Sequence, residues 1–162
     1  MHRFPNRQAL LRHARGLLYE TSRRRVEALE ELAGSPREAL RLVLRQGLAV
    51  DEETIGSVVW IGFLAAAFAD DELIEIHRRN NRLWRERLER LVGGAAPEWP
   101  AERVSTVALA LSAMVEGAAA FAAADAASYP SAAQVAMLDA VLMRTGWQRS
   151  PDQFRAQVSA GR

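Results

Sequence analysis

The side chains able to do chemistry are few and scattered. His2, His13 and His77 stand far apart in a chain of 162 residues with no cysteine, and none has a carboxylate three or four residues away in a metal-ligand pattern. No glycine-rich phosphate loop is present, nor a strand-turn-helix setting for a nucleophilic serine. The Gly93-Gly94 pair reads as the stop of a helix. We therefore expect no catalytic residue, no metal and no cofactor.

Polar residues inside apolar stripes are better leads. His77 and Asn80 share a helical face with Leu73 and Trp84, and Glu116 lies beside Gly117 in an otherwise uncharged run. The plainer reading makes them core groups hydrogen-bonded to neighbouring helices. The sharper reading makes them anchors of a small-molecule cavity, since such pockets are largely aromatic and aliphatic with a few polar groups. On that reading the candidates are Trp60, Phe63, Leu64, His77, Asn80, Trp84, Met114, Glu116 and Phe121. Glu116 points nearly opposite Met114 and Phe121 on a helical wheel; its neighbours there are Leu109, Ala113 and Ala120.

The elements that must position these residues are helices. Asn6 caps a helix over 7–33 whose inner face holds Leu11, Ala14, Leu18, Leu29 and Leu32. Ser35-Pro36-Arg37-Glu38 is a capping box with proline at the first helical position, and Gly47 ends the helix it opens. Asp51 or Thr54 starts a third helix whose body, 55–69, is uncharged and carries Trp60, Phe63, Leu64 and Phe68. Asp70, Asp71 and Glu72 suit the positive end of a fourth, stopped by the glycine pair. Pro100 opens a long apolar helix that Ser128-Tyr129-Pro130 breaks. Ser131 with Gln134 starts another, running to Gly146, and Ser150 a short terminal one. No period-two run appears, so the fold class is all-α.

Stretch 100–127 has Glu116 as its one charge between Arg103 and Asp125. Its large side chains Val104, Val107, Leu111, Met114 and Phe121 form one stripe. Ser105, Ala108, Ser112, Ala119 and Ala126 form a smooth second one that invites close approach of another helix, from a second copy of the chain. A membrane span is rejected, because the run is mostly alanine and Glu116 near its centre would cost a few kcal/mol. The arginines at 78, 79, 82, 85 and 90 alternate with Glu75, Glu86 and Glu89, and Glu75–Arg79 and Glu86–Arg90 are spaced as ion pairs on a solvated face. A net charge of +1 carries no message. The lack of cysteine and of an N-terminal apolar core fits a cytoplasmic protein.

His2-Arg3-Phe4-Pro5-Asn6-Arg7-Gln8-Ala9-Leu10-Leu11 resembles the junction in TetR-family transcriptional regulators where the recognition helix ends in Tyr-x-His-Phe and a long connecting helix follows. The rest is similar to the regulatory domain of the betaine-repressor group of that family. Val59-Trp60-Ile61-Gly62-Phe63 resembles its Trp-x-x-Phe helix, and Asp70-Asp71-Glu72-Leu73 the turn after it. Trp84-Arg85-Glu86-Arg87-Leu88 resembles the next helix, and Glu116-Gly117 the Asp-Gly pair in its penultimate long helix.

The resemblance implies a regulatory domain, with 1–6 a remnant of a helix-turn-helix domain, 7–146 a ligand-binding and dimerisation domain, and 147–162 a tail. It implies a repressor released by a small molecule, acting as a homodimer through helices 100–127 and 132–144. The interface candidates are Ser105, Ala108, Ser112, Ala119, Ala126, Val135, Leu138 and Leu142. His2 and Arg3 would lie near a DNA backbone, and operator DNA would be a partner, only if a helix-turn-helix domain precedes this sequence. A late-assigned start codon, a trimmed chain or a natural headless relative would each account for its absence here. The alternative function is a stand-alone dimerisation or small-molecule-binding module that never touches DNA.

Overall fold

The computed structural model describes residues 6–48 and 54–144, and every regular element among them is an α-helix. The order is α1 (Arg7–Leu32), α2 (Pro36–Gln46), α3 (Thr54–Ala67), α4 (Asp71–Ala95), α5 (Ala101–Ala124) and α6 (Ser131–Arg144). His2, Arg3, the expected start at Asp51, the stop at Gly146 and the terminal helix lie outside the described residues.

Local chemistry sets most of the boundaries. Asn6 Oδ1 accepts from Ala9 N at 2.8 Å, and Asp70 Oδ1 accepts from Glu72 N and Leu73 N at 3.0 Å each, so both helices start on a satisfied donor. Ser35 Oγ accepts from Glu38 N at 3.2 Å. The Glu38 carboxylate returns one residue further than a standard capping box, accepting from Gly34 N at 2.9 Å. Pro100 precedes α5 without a side-chain cap. At the start of α6 the Pro130 carbonyl accepts from Ala133 N and Gln134 N, and buried Gln134 donates back to Tyr129 O at 2.9 Å.

Helices α4 and α5 form the centre, and α2 lies across them. Leu40, Val43, Leu44 and Leu48 meet Leu88, Leu91 and Val92 from α4 and Ala108, Leu111 and Val115 from α5 in one buried cluster. Each fully buried Leu or Val contributes on the order of 2 kcal/mol. Phe63 and Ala67 of α3 bury a second, smaller cluster against Leu73. Leu138 carries α6 into the main core, and Arg41 fixes it with a two-pronged bond to Asp139 at 2.6 and 2.8 Å. That guanidinium holds the Asp139 carboxyl below the usual carboxylate range. Ion pairs tie α1 to α4: Arg12 with Glu72 at 2.5 Å, and Arg90 with Glu30 at 2.6 Å.

Several expectations need correction. Helix α4 runs through Gly93 and Gly94 to Ala95, and its C-cap is Ala96, whose N–H donates to Val92 O. Helix α3 stops at Ala67, leaving Phe68 exposed, and α1 buries Val26 while Leu32 is 79% exposed. Glu75 pairs with Arg78, and Arg90 reaches across to Glu30 rather than back to Glu86.

The small-residue stripe of α5 is also reassigned. Ala108, Ser112 and Ala119 are buried inside the subunit, as is Leu138 of α6, while Ser105, Val135 and Leu142 are half-buried and Ala126 is exposed. The close approach that small side chains permit is used by the chain's own helices. What α5 leaves uncovered is a different stripe, Thr106, Leu109, Ala110, Ala113 and Phe121, and α6 leaves Ala132, Ala133, Ala136, Ala140 and Met143.

Candidate ligand-binding site

A cavity of about 470 Å³ opens between α1, the end of α2, α3, α4 and α5. That volume lies within the range of small-molecule sites. Each helix contributes through its own periodicity. From α1, Arg15, Tyr19, Ser22 and Val26 descend one stripe at spacings of four, three and four. From α4 come His77, Asn80, Asn81, Trp84 and Arg87, and from α5 Val115, Glu116 and Ala119; Trp60 of α3 closes one side. Gly47, just past α2, lets that helix end pack down on α5, since a Cβ there would lie 2.5 Å from Val115 Cγ1. Its φ of −80° is ordinary, so it is the close approach that calls for glycine.

The polar groups on the wall fall into two sets. Trp84 Nε1 donates to Ser112 Oγ at 3.1 Å, and Ser112 stands one helical turn before Glu116, whose pKa it helps to lower. Arg23 is held by Glu20 and Glu27 at 2.9 and 2.6 Å, and Arg87 by Glu27 and Glu30 at 3.4 and 3.6 Å. Although Glu30 Oε1, outside the wall, has no hydrogen-bond partner, the cations of this set are satisfied.

The other set is not. Arg15 Nε, His77 Nδ1 and Asn80 Oδ1 are buried with no hydrogen-bond partner, and Asn80 is only 5% exposed. Buried polar groups are normally paired, and leaving one unpaired costs about 1–3 kcal/mol. All three belong to residues on one cavity wall. Arg15 lies with its guanidinium carbon 5.3 Å from the centre of the Phe63 ring, a contact that supports the cation without neutralising it. Burial lowers the Arg15 pKa, opposed by the fields of Glu116 and Tyr19. Burial likewise raises the Glu116 pKa, opposed by Arg15 and Ser112. His77 is pushed down by burial and then by Arg15, which favours the neutral ring.

The sequence brought some of these residues together and not others. Trp60, His77, Asn80, Trp84 and Glu116 line the cavity. Phe63 is fully buried behind Arg15, in the cluster with Ala67 and Leu73, and Leu64 is half-buried outside the wall. Met114 packs against the main core, and Phe121 is 58% exposed, stacked on Tyr129 with ring centres 5.3 Å apart. Glu116 shares the wall with Val115 and Ala119, whereas Leu109 and Ala113, its expected companions, are exposed. The whole α1 contribution was missed. Its signal was present: Arg15, Tyr19 and Ser22 fall in line with Val26 and beside the leucine stripe, where a solvated arginine would not belong.

Residues 36–146 match the family described as the C-terminal domain of BetI-type transcriptional repressors. The chain belongs to that family. It is thus a regulatory C-terminal domain of the TetR type, and the match takes in α2 to α6 with most of the cavity wall. A solved transcriptional regulator from Rhodococcus sp. Rha1 has the same all-helical fold. It is 27% identical, with a TM-score of 0.77, over 88% of this chain and 74% of that one. Among curated proteins none matches this chain.

Proposed function

We propose that this domain binds a small-molecule effector in the α1–α5 cavity and, as a homodimer, transmits that binding to a DNA-reading module, so that a repressor is released. The observation that carries the reading is the cavity itself: about 470 Å³ of space whose wall holds three buried polar atoms without partners. A structural core would have satisfied them or dispensed with them.

Arg15, Tyr19 and Ser22 stand on α1, whose Val26 alone reaches full burial, while α4 and α5 are locked into the main core. An effector that grips Arg15 acts on a helix lightly held by apolar packing. It shifts the equilibrium by as much as its affinity differs between two positions of α1. Operator DNA enters only through a helix-turn-helix domain joined ahead of α1.

The dimer surface is supported by the exposed stripes of α5 and α6. Leu109 is 57% exposed, Phe121 58% and Met143 54%, with alanines between them, on the two helices through which the resemblance implies pairing. Sedimentation at micromolar concentration should show a dimer, and Ala113→Arg should convert it to a monomer that keeps its helical spectrum. A wild-type chain that sediments as a monomer would remove the dimeric reading. For the cavity, a thermal-shift screen of small molecules should yield compounds that raise the melting temperature of the wild type but not of Ala119→Phe, which fills the wall. Equal shifts in both proteins would place the binding elsewhere.

A further inference from the structure

We propose that the effector is a small monocarboxylate with an apolar or aromatic body that bears a hydrogen-bond donor, its carboxylate seated on Arg15 and its donor on Asn80. This rests on the reading of the cavity as an effector site and adds the chemical class of what it takes.

The charge inventory of the wall points to an anion. Three guanidiniums, Arg15, Arg23 and Arg87, face the cavity against one carboxyl, Glu116. Arg23 and Arg87 already hold carboxylates of α1, whereas Arg15 joins no ion pair among the described residues and its Nε has no acceptor. An arginine cannot shed its proton to escape that cost, so an incoming carboxylate is the group that relieves it. A cationic ligand would have to rest on Glu116. That carboxyl is half-buried, and burial favours its neutral form. A phosphate dianion fits poorly too, because one free guanidinium and no lysine or backbone nest would face two charges beside Glu116.

The second polar group follows from Asn80. Its Oδ1 accepts nothing while the residue is nineteen-twentieths enclosed, so the ligand should present an O–H or N–H there. His77, three residues earlier on α4, offers an unpartnered Nδ1 on the same wall and remains neutral by burial. The larger part of the remaining lining is apolar, with Leu48, Trp60, Leu83, Trp84 and Val115 beside the polar Ser22, Gln46 and Asn81. A compact hydrophobic body fits that space.

The test uses matched probes in titration calorimetry at neutral pH. On an aromatic scaffold they are 4-hydroxyphenylacetate, phenylacetate, 4-hydroxyphenylacetamide and tyramine. On an aliphatic one they are 6-hydroxyhexanoate, hexanoate, 6-hydroxyhexanamide and 6-amino-1-hexanol. In at least one scaffold the hydroxy acid should bind about tenfold or more tightly than the matching amide or amine, and tighter than the acid without hydroxyl. Arg15→Gln should reduce the acid to the level of its amide, with Arg15→Lys recovering part of the loss, and Asn80→Leu should abolish the advantage of the hydroxyl. Circular-dichroism melts establish that each variant is folded. An amine that binds tightest, an acid no better than its amide in both scaffolds, or an Arg15→Gln protein with unchanged acid affinity overturns the proposal. In those cases the effector-site reading survives wherever amides or amines bind and Ala119→Phe blocks them. If no probe of any charge binds, both fall.

Discussion

Two arginines on the same face of α1, Arg15 and Arg23, live in opposite circumstances. Arg23 lies between Glu20 and Glu27, each within 3 Å, and the pairing pulls the Glu20 carboxyl down to about 2. The neighbouring lattice continues through Arg87, Glu30 and Arg90 to α4. Two turns earlier Arg15 is more deeply buried, touches the Phe63 ring and has no carboxylate in contact. The exposed end, where water would have served either partner, has its charges paired; the enclosed end, where an unpaired charge costs most, does not. Charge pairing along α1 ties Glu27 and Glu30 to α4 but leaves Arg15, in the enclosed stretch, without a carboxylate in contact.

That comparison is breakable in four places. If the cavity were slack packing, its wall would accept one more carbon. Instead Gly47→Ala should cost about 1–3 kcal/mol in urea unfolding, since the new Cβ meets Val115 at 2.5 Å; a neutral result would make the cavity a soft defect. Next, Glu30→Ala should cost about 1–2 kcal/mol, because Arg90 loses its partner and the half-buried Arg87 one of two. Asn80→Leu should act in the other direction and raise the stability of the ligand-free protein by about 1 kcal/mol, removing a polar atom that nothing meets. A loss there would show that Asn80 is satisfied after all.

The smallest effect concerns pH. Glu116 holds its proton more tightly folded than unfolded, so its contribution to stability falls as pH rises from about 4.5 through the raised folded value. His77 has the opposite sign: its folded pKa is lowered, so stability grows as pH rises from that value to about 6.5. Glu116→Gln should remove the first slope and leave the second in melting curves taken from pH 4 to 8. Parallel curves for the two proteins would show that Glu116 is not buried as described.

The helical frame was legible because its punctuation is local. Asn6, Ser35 and Asp70 each accept from a donor within three residues, Pro36 and Pro100 act through their fixed φ, and those boundaries stand to within a residue. The glycine pair misled because a helix tolerates glycine at roughly 1 kcal/mol each, a cost that the burial of Leu91, Val92 and Ala95 around the pair offsets. The cavity was legible where polar residues sat among aromatics, as at His77, Asn80 and Trp84. On α1 it was overlooked: Arg15, Tyr19 and Ser22 fall in line with Val26, but the leucine stripe beside them drew the inner face away from that line. The smooth stripe of α5 carried true information, that something approaches closely, but its chemistry is the same for a neighbour within the chain and one from a second copy.

The bond between Trp84 Nε1 and Ser112 has a practical corollary. An indole fixed at one edge and open to the cavity at its face is a built-in optical probe, and Trp60 stands on the same wall. Trp99, under the Arg103 guanidinium 3.9 Å from its ring centre, lies outside that wall and supplies a steady background. Occupancy of the site should therefore change the intrinsic tryptophan emission of the unlabelled protein, and Trp84→Phe should separate the signal of the anchored indole from that of Trp60.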